Sequence, residues 1–271
     1  MFFDDTAKPP NNHYGSKRFL LCLFYLFLLF YLFFGWSKNL WIISIDHGFF
    51  NFFGEITRQS WALDTLIVQM FRTNTAKIVP LLACIVWLLF ERRRQGKSIE
   101  FFILLLIGSF LAMTVSRIMQ NFSAYRPRPL HNSNIEYQLP FGIEISALEG
   151  WSSFPSDTSA LAFAIASGIF LASKRLGVVA FLWTIIVVAF PRAYAGLHYP
   201  SDLAGGALIG LLCTTGFAPL ILHAVTQKVK GINDKWMPLL WTLVFLYLFQ
   251  MGTMFDDVRR YGSFLKEIIG V

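Results

Sequence analysis

Between Phe19 and Met251 the chain is a series of apolar runs separated by polar breaks. The runs approach the roughly 17 to 25 residues that a helix needs to cross about 30 Å of hydrocarbon. They limit the chain to an all-α, polytopic membrane bundle, and the composition agrees. Of 271 residues 55% are hydrophobic and 14% charged, which is too apolar for a soluble domain of this size.

The runs are Phe19–Trp36, Ala76–Phe90, Ser98–Ile118, Ser156–Ala172, Gly177–Phe190, Asp202–Leu222 and Trp236–Met251, so six or seven transmembrane helices are expected. The first is too long for a signal-peptide core and lacks a small-residue cleavage pattern, so it is expected to stay in the membrane. Before it, the polar start of the chain contains Pro9, Pro10, Asn11 and Asn12 and reads as a tail. Ser37 to Thr75 mixes Trp, Phe and polar residues and is expected to lie along the interface. The expected organisation is a cytoplasmic tail over 1–18, two transmembrane helices with an interfacial segment over 19–97, a catalytic core over 98–222, and a last transmembrane helix and tail over 223–271.

The net charge of +7 does not point to nucleic acid, because the basic residues form short clusters between apolar runs rather than a patch. With the N-terminus inside, twelve of the 23 Lys and Arg fall on inner segments. Four of the rest, Arg117, Arg126, Arg128 and Arg192, belong to a candidate ligand site. That arrangement puts the long polar interruption Gln120–Phe154 outside. The cysteines Cys22, Cys84 and Cys213 lie within apolar runs, without metal-ligand spacing, and read as small apolar residues.

Three segments place polar residues at the same outer ends of the expected spans: Arg126-Pro127-Arg128-Pro129, Pro155-Ser156-Asp157-Thr158, and Arg192 through His198 to Asp202. Ionisable residues clustered at a membrane edge mark a functional site. Arg126, Arg128 and Arg192 offer planar donor forks that match phosphate oxygens, and Ser156 would cap a helix whose N-terminal N–H groups favour an anion. A neutral His198 could attack phosphorus, with Asp202 hydrogen-bonded to its other nitrogen to fix the tautomer. Asp46, His47 and His13 have no such companions in the sequence and are read as incidental. Trp36, Trp41, Trp151 and Trp236 read as interfacial belt residues.

These segments resemble the type 2 phosphatidic acid phosphatase superfamily, which shares its core with vanadium haloperoxidases. Its motifs run Lys, six residues, Arg-Pro; then Pro-Ser-Gly-His; then Ser-Arg, five residues, His, three residues, Asp. The third is present as Arg192, His198 and Asp202, with Pro191 in place of the serine; the second reads Pro155-Ser156-Asp157-Thr158, and the first has Arg128-Pro129 with Asn121 at the lysine position. The resemblance covers about Ser98 to Leu222. It implies a helical core without metal or other cofactor, a His198 nucleophile oriented by Asp202, and phosphate ligands Arg128, Ser156 and Arg192, with Arg126 a further phosphate-binding candidate. Arg117, Asn121, His131, Asp157 and Thr158 are auxiliary positions, Arg126 or Arg117 being able to stand in for the lysine.

Thr158 is the informative departure, because the family's histidine there resembles a general acid for the leaving oxygen. A strongly basic alkoxide leaving from a monophosphate needs that proton, which is commonly worth about 10²- to 10⁴-fold. The phosphate that leaves a diphosphate has a pKa of only about 6 and departs unaided. The sequence therefore predicts a lipid diphosphate, such as a polyprenyl diphosphate, as substrate. A replacement acid, His131 or less plausibly Glu149, stays open. So does hydrolysis against transfer to a saccharide or lipid acceptor. The expected setting is a bacterial-type inner membrane with the site facing the periplasm, among membrane lipids and without nucleic acid. The alternative is a non-catalytic lipid-phosphate binding or carrier protein.

Overall fold

The computed structural model describes residues 39–256 other than 99 and 147, together with 24, 25, 27, 28, 31 and 35. The described residues contain no strand, and the helices that build the fold are α1 (Leu40–Gly54), α2 (Trp61–Arg72), α3 (Asn74–Arg94), α4 (Glu100–Phe122), α5 (Asp157–Ala172), α6 (Lys174–Tyr194), α7 (Pro200–Lys230) and α8 (Met237–Gly252). The tail, most of the first apolar run, and the basic residues Arg259, Arg260 and Lys266 lie outside them.

Six of the apolar runs are helices, α3 to α8. Four of these, α3, α4, α6 and α7, are long and apolar enough to cross a membrane. Their outer faces carry Trp87, Phe90, Phe110, Ile118, Leu182 and Ile186 exposed, far more apolar surface than water tolerates on a monomer. The chain is an integral membrane protein. Helix α5 has 16 residues and, at about 1.5 Å each, falls short of the hydrocarbon thickness. It does not meet lipid over that length, because Leu161, Ile165 and Ile169 are fully buried against Ile78, Leu81, Ile85 and Leu105 of α3 and α4. The segment expected at the interface holds α1 and α2, capped by the side chains of Asn39 and Ser60.

Lipid supplies little hydrophobic drive between helices, so close packing of small residues holds them together. Helix α7 meets α5 through Gly206 and Gly210, one turn apart. A Cβ on Gly206 would lie 2.3 Å from the Ser156 carbonyl oxygen, and one on Gly210 would lie 2.4 Å from that of Ala160. Any side chain there would push the start of α7 away from the start of α5. The α6 and α7 helices also contain π-helical stretches, Thr184–Ala189 and Cys213–Phe217, each followed two residues later by a proline, Pro191 and Pro219. A proline ring clashes with the carbonyl four residues back, and in both cases that carbonyl lies in the widened turn. Thus α6 continues through Pro191 and delivers Arg192.

The basic ends gather at one end of the bundle. Arg92, near the end of α3, donates to the carbonyls of Ser98 and Ala172 at 2.9 and 3.1 Å, and Phe102 at the start of α4 stacks on Trp241 at the start of α8. The starts of α5 and α7 and the long polar loop meet at the opposite end.

Candidate active site

The Arg-Pro segment is threaded between two others. Ser153 N–H donates to the Arg126 carbonyl at 2.9 Å, and Leu130 N–H donates to the Gly196 carbonyl at 2.9 Å. Prolines on either side keep Arg128 extended, with φ −70° and ψ 152°. The spacing from Arg192 to His198 is a closed turn. Leu197 and His198 N–H groups both donate to the Arg192 carbonyl, at 3.0 and 3.3 Å, and Gly196 takes φ +70°, where a side chain would also meet Leu139. The third motif is therefore a piece of geometry that buries Arg192 and His198 together at the mouth of α7.

His198 is 1% exposed, and its Nδ1 lies 2.8 Å from the Ser153 carbonyl oxygen. A carbonyl only accepts, so Nδ1 carries the proton and Nε2 keeps its lone pair. Arg128 Nη1 lies 3.3 Å from that Nε2. Burial pushes the His198 pKa down to about 4, helped by the Arg128 and Arg192 guanidiniums and opposed by Asp202, so the ring is neutral at neutral pH. The expectation that Asp202 itself fixes the tautomer is corrected here. Its Oδ2 is 3.8 Å from Nδ1, beyond hydrogen-bond reach, because it accepts instead from the Tyr199 N–H at 2.8 Å. Asp202 acts on His198 through its charge, and Ser153 through its hydrogen bond.

Arg128 is 4% exposed; it donates to the Leu197 carbonyl at 2.7 Å and the Ser152 carbonyl at 3.4 Å, and among the described residues its Nε meets no acceptor. Burial holds its pKa below the usual arginine value, yet the group stays charged. Ser156 caps α5, accepting from Ser159 N–H at 3.4 Å, while its own N–H donates to the Asp202 carbonyl at 3.1 Å. Arg128, Arg192, Ser156 and His198 are thus assembled from three distant segments.

Arg126 departs from the reading as a phosphate ligand. Its Nη1 lies 2.5 Å from Asp202 Oδ1 and 2.8 Å from Ser201 Oγ, its Nη2 lies 2.6 Å from Asp46 Oδ2, and its guanidinium covers the Tyr199 ring at 3.9 Å. Two buried carboxylates already occupy its donors. Burial lowers its pKa, but Asp202 and Asp46 more than offset that. Asp46, read from sequence as incidental, is fully buried here and is also corrected; a carboxylate inside a largely apolar, Phe-rich helix was the signal that could have found it.

The auxiliary positions separate into two groups. Arg117 Nη2 pairs with Asp157 Oδ2 at 2.7 Å, and Thr158 gives both its N–H, at 2.7 Å, and its hydroxyl, at 3.3 Å, to Asp157 Oδ1. Arg117 also faces the Trp151 ring at 5.6 Å, so that tryptophan is more than a belt residue. Asn121 is exposed, and among the described residues it makes no hydrogen bond to this cluster. His131 donates Nε2–H to the Ile145 carbonyl at 2.7 Å and, with Glu149, lines a separate cleft of about 600 Å³ that Arg128, Ser156, Arg192 and His198 do not line. The structure does not bring His131 or Glu149 to His198.

Residues 122–230 match the sequence profile of the PAP2 superfamily. The bacitracin transport permease protein BcrC of Bacillus licheniformis is 30% identical over 128 residues, 46% of this chain and 56% of that protein, so the chain spans little more than half of its length. YbjG of Escherichia coli (strain K12), whose name gives it provisionally as an undecaprenyl-diphosphatase, is 30% identical over 161 residues, 59% of this chain and 74% of that protein. A crystal structure of a transmembrane PAP2-type phosphatidylglycerolphosphate phosphatase from Bacillus subtilis is 19% identical, covering 80% of this chain and 99% of that one at a TM-score of 0.47. With its third motif folded into the closed Arg192–His198 turn and a relative matched over most of its length, the chain belongs to the PAP2 superfamily.

Proposed function

We propose that this protein removes or transfers the terminal phosphate of a lipid diphosphate, a polyprenyl diphosphate being the leading class, through a phosphohistidine on His198. The observation that carries this reading is the tautomer: with Nδ1–H committed to Ser153, the Nε2 lone pair sits beside the Arg128 guanidinium, where a phosphate would dock. Nε2 attacks the terminal phosphorus and forms an N–P bond. The bond from phosphorus to the bridging oxygen breaks, and its electron pair leaves with the lipid monophosphate. Water or an acceptor hydroxyl then attacks phosphorus, the N–P pair returns to Nε2, and the acceptor's proton is lost to solvent. Arg128 and Arg192 neutralise the charge on the transferring group, so the route calls on no metal.

Position 158 supports the diphosphate. In place of a proton donor it offers a threonine hydroxyl bonded to Asp157, with Arg117 beside it. A threonine hydroxyl there cannot protonate an alkoxide, and the phosphate leaving a diphosphate does not need that proton. The undecaprenyl-diphosphatase name of the Escherichia coli relative supports the same substrate class. The basic clusters at the far end of the bundle, Arg92 to Arg94, Lys174 and Arg175, support a cytoplasmic location for that end and a periplasmic one for the site, in six or seven spans of an inner membrane.

Purified protein given terminally labelled polyprenyl diphosphate and the matching monophosphate, with and without hydroxyl acceptors, tests the reading. Phosphate release or transfer from the diphosphate, absent in His198→Ala, is expected. Binding of both lipids without turnover would establish the carrier alternative, and preferential cleavage of the monophosphate would sink the leaving-group argument.

A further inference from the structure

Asp46 lies within α1, outside residues 122–230 that match the family, and takes no part in the steps above. A carboxylate withdrawn from water costs several kcal/mol unless it is paired and hydrogen-bonded. Asp46 is both: besides Arg126, it accepts from the Ser201 N–H at 3.0 Å and the Ser201 hydroxyl at 2.5 Å. Contacts run unbroken from Asp46 to Arg126 at 2.6 Å and from Arg126 to Asp202 at 2.5 Å, and the Asp202 charge then lies 3.8 Å from His198.

One guanidinium between two carboxylates leaves an excess negative charge. If Arg126 faced Asp202 alone, the pair would be neutral and His198 would feel little field from it. Asp46 draws on Arg126 from the opposite side. When Nε2 bonds to phosphorus while Nδ1 keeps its proton, the imidazole becomes cationic, and a net negative neighbour stabilises that charge.

We propose that Asp46 is a positioning residue for the phosphohistidine step, holding Arg126 between two carboxylates so that Asp202 keeps its negative charge toward His198. The inference rests on the phosphohistidine reading and adds to it a device from outside the shared family region.

Its test is Asp46→Asn in full-length protein, assayed for turnover of a lipid diphosphate and for binding of orthovanadate, with Asp202→Asn and the double variant alongside. The expected result is a fall in kcat of about 10- to 100-fold with KM within about twofold, since the interaction is made only as charge develops. Vanadate binding should weaken in parallel, and the double variant should lose no more than Asp202→Asn alone, because the two residues act as one unit. Asp46→Glu separates charge from packing: the proposal expects it to recover most of kcat, whereas a purely structural aspartate would be replaced worse by the larger side chain. It also serves if Asp46→Asn does not fold. An active wild type whose kcat and vanadate affinity are unchanged in Asp46→Asn, a multiplicative double variant, or a folded but inactive Asp46→Glu would overturn the inference alone. A wild type that neither turns over nor binds vanadate would overturn the functional reading together with it.

Discussion

Arg126 and Arg128 stand two residues apart on one extended, proline-bracketed segment, yet the two regions they enter are opposite in kind. On one side Arg126 lies between Asp46 and Asp202, over the Tyr199 ring. On the other, Arg128 donates to two carbonyls, keeps an Nε without an acceptor among the described residues, and faces the lone pair of His198. The first region fills its arginine with two carboxylates of its own and keeps an excess of negative charge. The second has positive charge in hand, which the anion of the proposed function would complete. Charge type alone does not assign a role to a motif arginine; what already occupies its donors does.

The largest effect expected is at the atom that the second region surrounds. His198→Ala should lower kcat by about 10⁴-fold or more, as removal of a nucleophile does elsewhere. Residual turnover above a tenth of wild type in a steady-state assay would move the chemistry to another residue.

The arginines should then differ in what they lose. Arg126→Met strands two buried carboxylates, and removing one partner from a buried pair costs about 3 to 5 kcal/mol. Thermal unfolding should show a large drop in Tm along with lost activity. Arg128→Met removes a charge that, among the described residues, is hydrogen-bonded to carbonyls and His198 rather than to a carboxylate, so Tm should hold or rise while kcat/KM falls about 10²- to 10³-fold. Equal losses of Tm in the two variants would erase the distinction between the regions.

A smaller effect concerns pH. Because burial and Arg128 hold the His198 pKa down to about 4, the neutral imidazole that the proposed mechanism requires persists as pH falls through the usual histidine range. The acid limb of kcat/KM should appear near that value, and a limb at about 6.5, the free-histidine pKa, would show a less enclosed ring. The smallest effect is a gain: Thr158→His should add monophosphate hydrolysis, within the roughly 10²- to 10⁴-fold worth of a general acid, and its absence would detach position 158 from leaving-group choice.

Much of this was legible from spacing. The apolar runs mark α3 to α8, four of them at the length hydrocarbon thickness sets, and the Arg192, His198 and Asp202 spacing marks the candidate site because the turn it encodes closes on the Arg192 carbonyl. What stayed hidden has no local signature. The acceptor that fixes His198 is a backbone carbonyl at Ser153, which any residue would supply. The partner of Arg126 comes from Asp46, 80 positions away, through a helix that the apolar pattern assigned to the interface. The equivalence of Arg126 and Arg128 in the motif also concealed that one of them was already engaged.

The most direct measurement is to capture the intermediate. Protein mixed with terminally ³²P-labelled polyprenyl diphosphate, quenched in alkali during turnover and digested, should yield one labelled peptide carrying phosphate on His198, stable in base, lost in acid, and absent from His198→Ala. Turnover at full rate with no labelled protein, or with the label on any other residue, would contradict the account.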